Sequence, residues 1–539
     1  MNEPIQAPLP HSGQNERSMA SGRDLLGPRN LVILLLALGV LPLLWPTIPP
    51  LVDLPNHMSR YQIGLDYKTS PFFRQWFDFH WVLVGNLGVD LLVTALAPVL
   101  GVEAATKLVI IAVPALTIGG ILLIAREVHG RIPPTIALAA MLTYNFAFNF
   151  GFVNYVLAVG LALMSFALWL RLGRMGAIRL RAALFVPIGF LVWLCHASGW
   201  GLLGVLIFTW EAASARAARA SWLATLTRSV VVCLPLTLPL VPMLFWSAAV
   251  PRGSLGVFNY DPGRKIALIF LSLRNGIPII DTGSMLILWA IGILGVIRHD
   301  LEFDRKLTIV AAALLLTYIL MPANLMGSGH ADLRIAPYVV MLFLVALRPV
   351  GSTRFTRVLG IFAIVFFTAG MAYHAVVYAR INRAQEHVLK ALDHLPIGAR
   401  VFSFARVSCS ATMEGNRMEH IHRIAIVRRQ AFTNGTWPFP ASQTLIVHPD
   451  MVSGYNDESS QLLEPSDCLD DMTHTIDGRL ATLPPGRYDY FWLLDVPPQQ
   501  WPERTWLRMV WHNDRTVLYR ILPHAQQTIS SLPARTRRM

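Results

Sequence analysis

The residues best suited to chemistry lie at the end of the first hydrophobic segment, in Pro49-Pro50-Leu51-Val52-Asp53-Leu54-Pro55-Asn56-His57. An apolar run from about Leu31 to Ile48 precedes them, long enough to cross a bilayer core at about 1.5 Å per residue. An acid, an amide and an imidazole are costly at a membrane exit unless water or a ligand reaches them. Asp53 has two compatible readings. It suits the N-cap of a helix starting near Pro55, and it suits a general base acting on a hydroxyl at the water interface. The second is preferred. His57 lies four residues on, on the same helical face, and Asn56 between them is a candidate substrate contact.

Further candidates follow along the chain. Asp90, in Asn86-Leu87-Gly88-Val89-Asp90, is a candidate second acid. His80, a candidate substrate contact, closes a loop from Pro55 in which Arg60, Asp66, Lys68, Arg74 and Asp78 interleave with Tyr61, Tyr67, Phe72, Phe73, Trp76 and Phe77. That mixture suits an interfacial amphipathic helix or a sugar-stacking surface, with an aromatic belt as the plainer reading. His196 breaks an apolar run at Cys195-His196-Ala197-Ser198-Gly199; it either meets substrate or serves as a hinge. Basic groups able to hold a phosphate are Arg252, Arg264 and Lys265, with His330 and Arg334 in Gly327-Ser328-Gly329-His330-Ala331-Asp332-Leu333-Arg334. Arg334 is preferred, because a guanidinium at the head of a span grips phosphate bidentately. Its alternatives are a snorkelling anchor or a partner for Asp332.

The 539 residues are 54% hydrophobic and 14% charged, with mean hydropathy +0.49. Soluble domains carry roughly 25% charged residues, so this is a polytopic membrane protein. The net charge of +13 falls in short clusters between apolar runs. That is the pattern of cytoplasmic loops facing anionic lipid, and it argues against nucleic acid. No P-loop, Rossmann, HExxH or CxxC spacing occurs, so no structural zinc and no cofactor is expected; a divalent cation stays open. Cys195 and Cys233 read as core thiols, whereas Cys409 and Cys468 are expected to form a disulfide in the polar C-terminal region.

Apolar segments run at about 31–48, 82–100, 108–125, 133–149, 152–170, 183–210, 229–249, 266–280, 284–297, 307–321, 335–347 and 358–378. The basic clusters share one side if two conditions hold. Segments 82–100 and 266–280 must not cross, and 183–210 must be a hairpin of two short helices. The expected architecture is α-helical, with about 11 transmembrane helices plus interfacial ones and a C-terminal soluble α/β domain. A disordered cytoplasmic tail (1–30) leads into a membrane module (31–380) whose outer loop is 53–106. A periplasmic domain (385–525) and a basic tail (526–539) follow. Strands are expected at Arg400–Phe404, Thr444–Val447, Tyr488–Leu494, Trp506–Trp511 and Thr516–Ile521, with a helical stretch near His420–Gln430.

A first span that delivers an Asp to the outer face, followed by a loop of interfacial helices, resembles the GT-C superfamily of integral-membrane glycosyltransferases. Asn86-Leu87-Gly88-Val89-Asp90, Gly101-Val102-Glu103-Ala104-Ala105-Thr106-Lys107 and Ala125-Arg126-Glu127-Val128-His129-Gly130 look like its second jaw helix, re-entry turn and basic stop. The resemblance implies an outer-loop carboxylate as base, a sugar on a polyprenyl phosphate as donor and a cell-envelope glycan or lipid as acceptor. It also implies inverting transfer and residence in the bacterial inner membrane. Asp53-Leu54 departs from the two adjacent acids that many members carry. Two other classes compete. A polysaccharide or lipid transporter or flippase wants charges mid-span and repeated halves. A non-catalytic scaffold of envelope assembly would use Asp53 as a cap alone.

Overall fold

A computed structural model describes residues 27–247, 261–325, 329–406, 415–436, 444–448, 451, 462–463 and 475–522. Arg252, Cys409, Cys468 and both expected tails lie essentially outside these residues, so the phosphate contact, the disulfide and the tails expected there have no structural account.

Helix α1 (Pro28–Val40) opens with proline in its first turn, where a missing N–H costs nothing. After Pro49-Pro50, α2 (Leu54–Asp66) starts directly behind Asp53. Helix α3 (Phe73–Trp76) and strand β1 (Phe77–Phe79) lead to α4 (Gly88–His129), which is interrupted at Gly101 by a non-helical φ of 77° and ψ of 160°. The arm 88–100 is about 20 Å long, short of the roughly 30 Å hydrocarbon core. Both of its ends also meet the same region. The Leu87 N–H donates to the Leu194 carbonyl at 2.8 Å. Past the break, Glu103 pairs with Arg428 at 2.7 Å and Lys107 reaches the Leu44 carbonyl at 2.7 Å. The arm leaves and returns to one end of the bundle.

Helices α5 (Ile136–Met141) and α6 (Phe146–Phe150) make a broken, largely buried pass, and α7 (Val153–Arg174) returns from it. Helices α8 (Ile178–Cys195) and α9 (Ala197–Ala217) form a hairpin about His196; with 18 and 21 residues they are full-length, not the short pair expected. Then come α10 (Trp222–Cys233), α11 (Leu240–Ser247), α12 (Pro262–Phe270), α13 (Pro278–Ile297), α14 (Arg305–Leu320), α15 (Ala331–Ala346) and α16 (Arg354–Leu389). Segment 266–280 is split between α12 and α13. Among the described residues, five helical runs are long and apolar enough to cross a membrane: α4, α7, α8, α13 and the run containing α16. Their outward faces carry groups such as Leu191, Ile279 and Val296, exposed apolar side chains that need lipid rather than water.

Contacts sort the helix ends into two sets. At one end Arg174 pairs with Glu127 at 2.8 Å, Arg181 with Glu211 at 3.0 Å, and Arg131 reaches the Pro349 carbonyl at 2.7 Å. There β2 (Leu301–Phe303) pairs with β3 (Leu347–Pro349). The opposite end gathers Asp53, the 149–151 turn, the 274–277 turn and the segment 415–423.

After α16 the described residues build a six-stranded mixed sheet from β4 (Arg400–Arg406), β5 (Phe432–Thr433), β7 (Leu462–Leu463), β8 (Tyr490–Leu494), β9 (Leu507–His512) and β10 (Val517–Ile521). Strand β4 is parallel to β5, β7 and β8, and β10 is antiparallel to β8 and β9. Helix α17 (Ile424–Arg429) precedes β5 and packs on α2. Strand β6 (Leu445–Val447) leaves this sheet and pairs with β1, tying the C-terminal region to the 53–87 loop.

One ion pair fixes α2. Arg60 Nε and a terminal guanidinium nitrogen donate to the two Asp90 oxygens at 2.8 and 3.1 Å, and Asn154 on α7 donates to Asp90 at 3.0 Å. All three side chains are buried. Removing one charge strands the other, so Asp90→Asn should cost about 3–5 kcal/mol, read as a lower melting temperature in detergent. The double change Arg60→Met with Asp90→Asn should recover most of that loss.

Candidate active site

Asp53 is fixed at its backbone before its side chain does anything. Its N–H donates to the Phe150 carbonyl at 2.9 Å, and the Val52 N–H to the Asn149 carbonyl at 3.3 Å. Gly151, with φ of 97°, lies so close that a Cβ there would stand 2.9 Å from the Asp53 nitrogen. Glycine is required at that crossing. Asp53 occupies the N-cap position of α2, yet its side chain makes no capping hydrogen bond. The capping reading is therefore corrected: the carboxylate turns inward and is 14% exposed.

The His420 Nε2 lies 3.4 Å from Asp53 Oδ1. Burial pushes the Asp53 carboxyl up to about 6, and the fields of Arg423 and Arg334, with those of His57 and His330 when protonated, pull against it. His57, one turn along α2, is pushed down to about 4, chiefly by burial and then by Arg60. It is neutral at pH 7, and its Nδ1 has no hydrogen-bond partner among the described residues. The result is a carboxylate near neutrality beside a neutral imidazole.

A cationic wall faces this pair. Arg334, in the first turn of α15, is 8% exposed and lies 4.2 Å over the Phe152 ring and 5.9 Å from that of Tyr155. Its Nε has no partner, and it forms no ion pair among the described residues. The Tyr155 hydroxyl donates to the Arg334 carbonyl at 2.8 Å. His330 caps α15 with a left-handed φ of 58° and its ring lies 5.8 Å from Phe150 and 6.4 Å from Phe152. His196 Nδ1 accepts from the Ser198 N–H at 3.1 Å, as a hinge group does, while its ring stands edge-on to Tyr155 at 5.4 Å. Arg423 donates to the Asn56 side-chain oxygen, and burial pushes its guanidinium down to about 9.

Other residues singled out from the sequence serve elsewhere. Asp90 is held in the Arg60 pair, both oxygens engaged, so it positions α2. Lys265 is buried, pairs with Asp332 at 3.0 Å and donates to the Tyr318 and Met321 carbonyls at 3.1 and 2.5 Å. Those contacts spend its three protons. Arg264 also pairs with Asp332, at 3.3 Å, but remains 34% exposed beside the α15 head. His80 is exposed at the end of β1, where its N–H donates to the Thr444 carbonyl at 2.9 Å; it belongs to the β1–β6 joint and not to the Asp53 centre.

Sequence reasoning missed Arg417 and read His420 and Arg423 only as part of a helical stretch near 420–430. The available signal is density: Arg417, Glu419, His420, His422 and Arg423 fall within seven residues. Arg417, 1% exposed, donates to the Pro50 carbonyl, to the Asn149 carbonyl at 3.0 Å and to the Asn275 side chain at 2.9 Å. Among the described residues no group of three His, Cys, Asp or Glu side chains could hold a metal ion.

Fold and site together define a helical membrane protein with a carboxylate and arginine centre at one end of its bundle. No family model matches the chain, and no curated protein matches it. Among solved structures it is similar to the crystal structure of ArnT from Cupriavidus metallidurans in the apo state. The identity is 12%, covering 92% of this chain and 97% of that one, with a TM-score of 0.47. It is also similar to ArnT from the same organism bound to undecaprenyl phosphate, at 12% identity over 91% of this chain and 97% of that one, with a TM-score of 0.40.

The raised Asp53 carboxyl makes a signed prediction about stability. Its folded value of about 6 exceeds the ordinary 3.8. Its contribution is therefore fully present below pH 4 and is lost as pH rises through 6. Asp53→Asn removes that penalty. The variant should be more stable than the parent by roughly 2–3 kcal/mol at pH 8 and equal to it at pH 4, as thermal melts at the two pH values will read.

Proposed function

We propose that the protein is an integral-membrane glycosyltransferase. It moves a sugar from a polyprenyl-phosphate donor to a cell-envelope glycan or lipid acceptor at the periplasmic face of the bacterial inner membrane. One observation carries this reading: a carboxylate held near neutrality by burial lies in the field of Arg334, a buried guanidinium without an ion pair among the described residues. Sugar transfer from a lipid phosphate needs both, a base for the acceptor and positive charge for the phosphate that departs.

The step follows from these groups. The acceptor hydroxyl oxygen attacks the anomeric carbon from the face opposite the phosphate, and its proton passes to Asp53. The new glycosidic C–O bond forms as the bond to the phosphate oxygen breaks, with inversion. The phosphate leaves carrying the electron pair, and Arg334 stabilises the charge, with Arg264 and His330 at the same helix head. A base with a value near the working pH is the effective kind. Phe150, Phe152 and Tyr155 give apolar and aromatic surface against which the lipid or sugar can pack.

Two features speak against the rival classes. A scaffold would use Asp53 as a cap, and its side chain makes no capping bond. A flippase wants charges along a path through the bundle, whereas the described ion pairs of the helical body gather near its two ends. The basic clusters at the end opposite Asp53 support a cytoplasmic assignment for that end. Eleven passes then leave the N-terminus inside and residues after about Arg380 outside.

Asp53→Asn keeps size and removes the proton acceptor. It should lose about 10²–10⁴-fold in release of polyprenyl phosphate from a labelled lipid-linked sugar pool, with donor binding retained. Transfer at the parent rate removes Asp53 from the mechanism. Because no capping bond exists, Asp53→Ala should lose activity without losing a cap. The parent rate should fall as pH drops below about 6, the Asp53 value. For topology, alkaline phosphatase fused after Arg380 should be active, and a fusion active in cytoplasmic form alone overturns the assignment.

A further inference from the structure

Three contacts join the segment 415–423 to the segment around Asp53, and their spacing is matched. Arg417 donates to the Pro50 carbonyl, His420 faces Asp53, and Arg423 donates to the Asn56 side chain. Each step is three residues in both segments, and each pair is separated by the same 367 positions. The register has a cause. Residues 415–418 and 421–423 are 3-10 turns, in which every third side chain shares an edge, and His420 lies in the short turn that joins them. The outer two contacts clamp the backbone before Asp53 and the helix turn after it. The middle one falls on the carboxylate itself.

We infer that His420 is a positioning residue for Asp53, donating its Nε2–H to Oδ1 and, with Arg417 and Arg423, fixing the direction in which the carboxylate presents its free oxygen. This rests on the reading of Asp53 as base. The imidazole is 2% exposed, and burial beside Arg423 keeps it neutral. Neutrality matters here. A charged imidazole would lock Asp53 in an ion pair and weaken it strongly as a base, whereas a neutral donor orients it and lowers its basicity only by what one hydrogen bond contributes. The other titratable or charged groups facing Asp53 are His57 on α2, Arg423 in the same segment as His420, and His330 and Arg334 at the head of α15, while Glu419 Oε1 stands 3.5 Å from the same His420 Nε2, slightly farther than Asp53. None of these is replaced by the test. The active site therefore includes a segment of the C-terminal region, and the membrane module alone is incomplete.

The test reads Asp53 protonation directly, apart from turnover. Dicyclohexylcarbodiimide labels protonated carboxyl groups in apolar surroundings, and peptide mass spectrometry of the full-length protein quantifies adduct at Asp53 from pH 4 to 9. In the parent, labelling should fall through a midpoint near 6. In His420→Met, loss of a donor to a charged acceptor should raise that midpoint by about one to two pH units. His420→Gln, which keeps an N–H donor, should return it to within about half a unit of the parent. A midpoint unmoved in a folded His420→Met protein overturns the inference, as does parent labelling that does not change with pH. If the Met variant fails to fold, the Gln variant decides alone: a midpoint displaced by a full unit overturns the inference, and one near the parent supports it. An Asp53→Asn protein that still transfers sugar would defeat the base reading while leaving the titration result intact.

Discussion

The cost of taking one carboxylate out of water organises this end of the molecule. Asp53 is buried far enough for desolvation to outweigh the guanidinium charges of Arg423 and Arg334. Fully paired, it would be a poor base; fully isolated, it would be protonated and no base at all. The surroundings hold it between those limits. Asp90 engages Arg60, and Asp332 engages Lys265 and part of Arg264. These acids take up three of the cations at this end, and Arg334 and Arg423 act on Asp53 through space.

Holding that balance requires elements that are far apart in sequence. The backbone of Asp53 hangs from the 149–151 turn, whose Gly151 leaves room for nothing larger. Its helix is fastened to α4 and α7 by the Arg60, Asp90 and Asn154 cluster. The break at Gly101 sends the 88–100 arm back to the same end, so Asp90 can meet Arg60 there. Helix α15 supplies Arg334 on a first turn packed against Phe152 and Tyr155. A displacement in any of these would alter how much water and charge reach the carboxylate.

What the sequence revealed of this arrangement was what is local. Asp53, Asn56 and His57 are neighbours on one turn, and their placement at a membrane exit is visible without a structure. The helical body was legible because long apolar runs have few alternatives. The strands β4, β6, β8, β9 and β10 coincide with the five runs of strand-like residues, whereas β5 and β7 have two residues each, too short to leave a pattern. Charges were misjudged wherever the partner lay far away: Lys265 looked available because Asp332 is remote along the chain. His420 and Arg423 were invisible for the same reason, since their partners lie 367 positions earlier and no periodicity spans that gap.

The matched contacts between residues 417–423 and 50–56 also impose an order on the protein's birth. The acid is made early, its partners much later. Translation at about 5–20 residues per second separates the two by roughly 20–70 s. Through that interval Asp53 has neither His420 nor Arg423 beside it. Completion of the last region, rather than insertion of the first, is the event that completes the surroundings of the carboxylate.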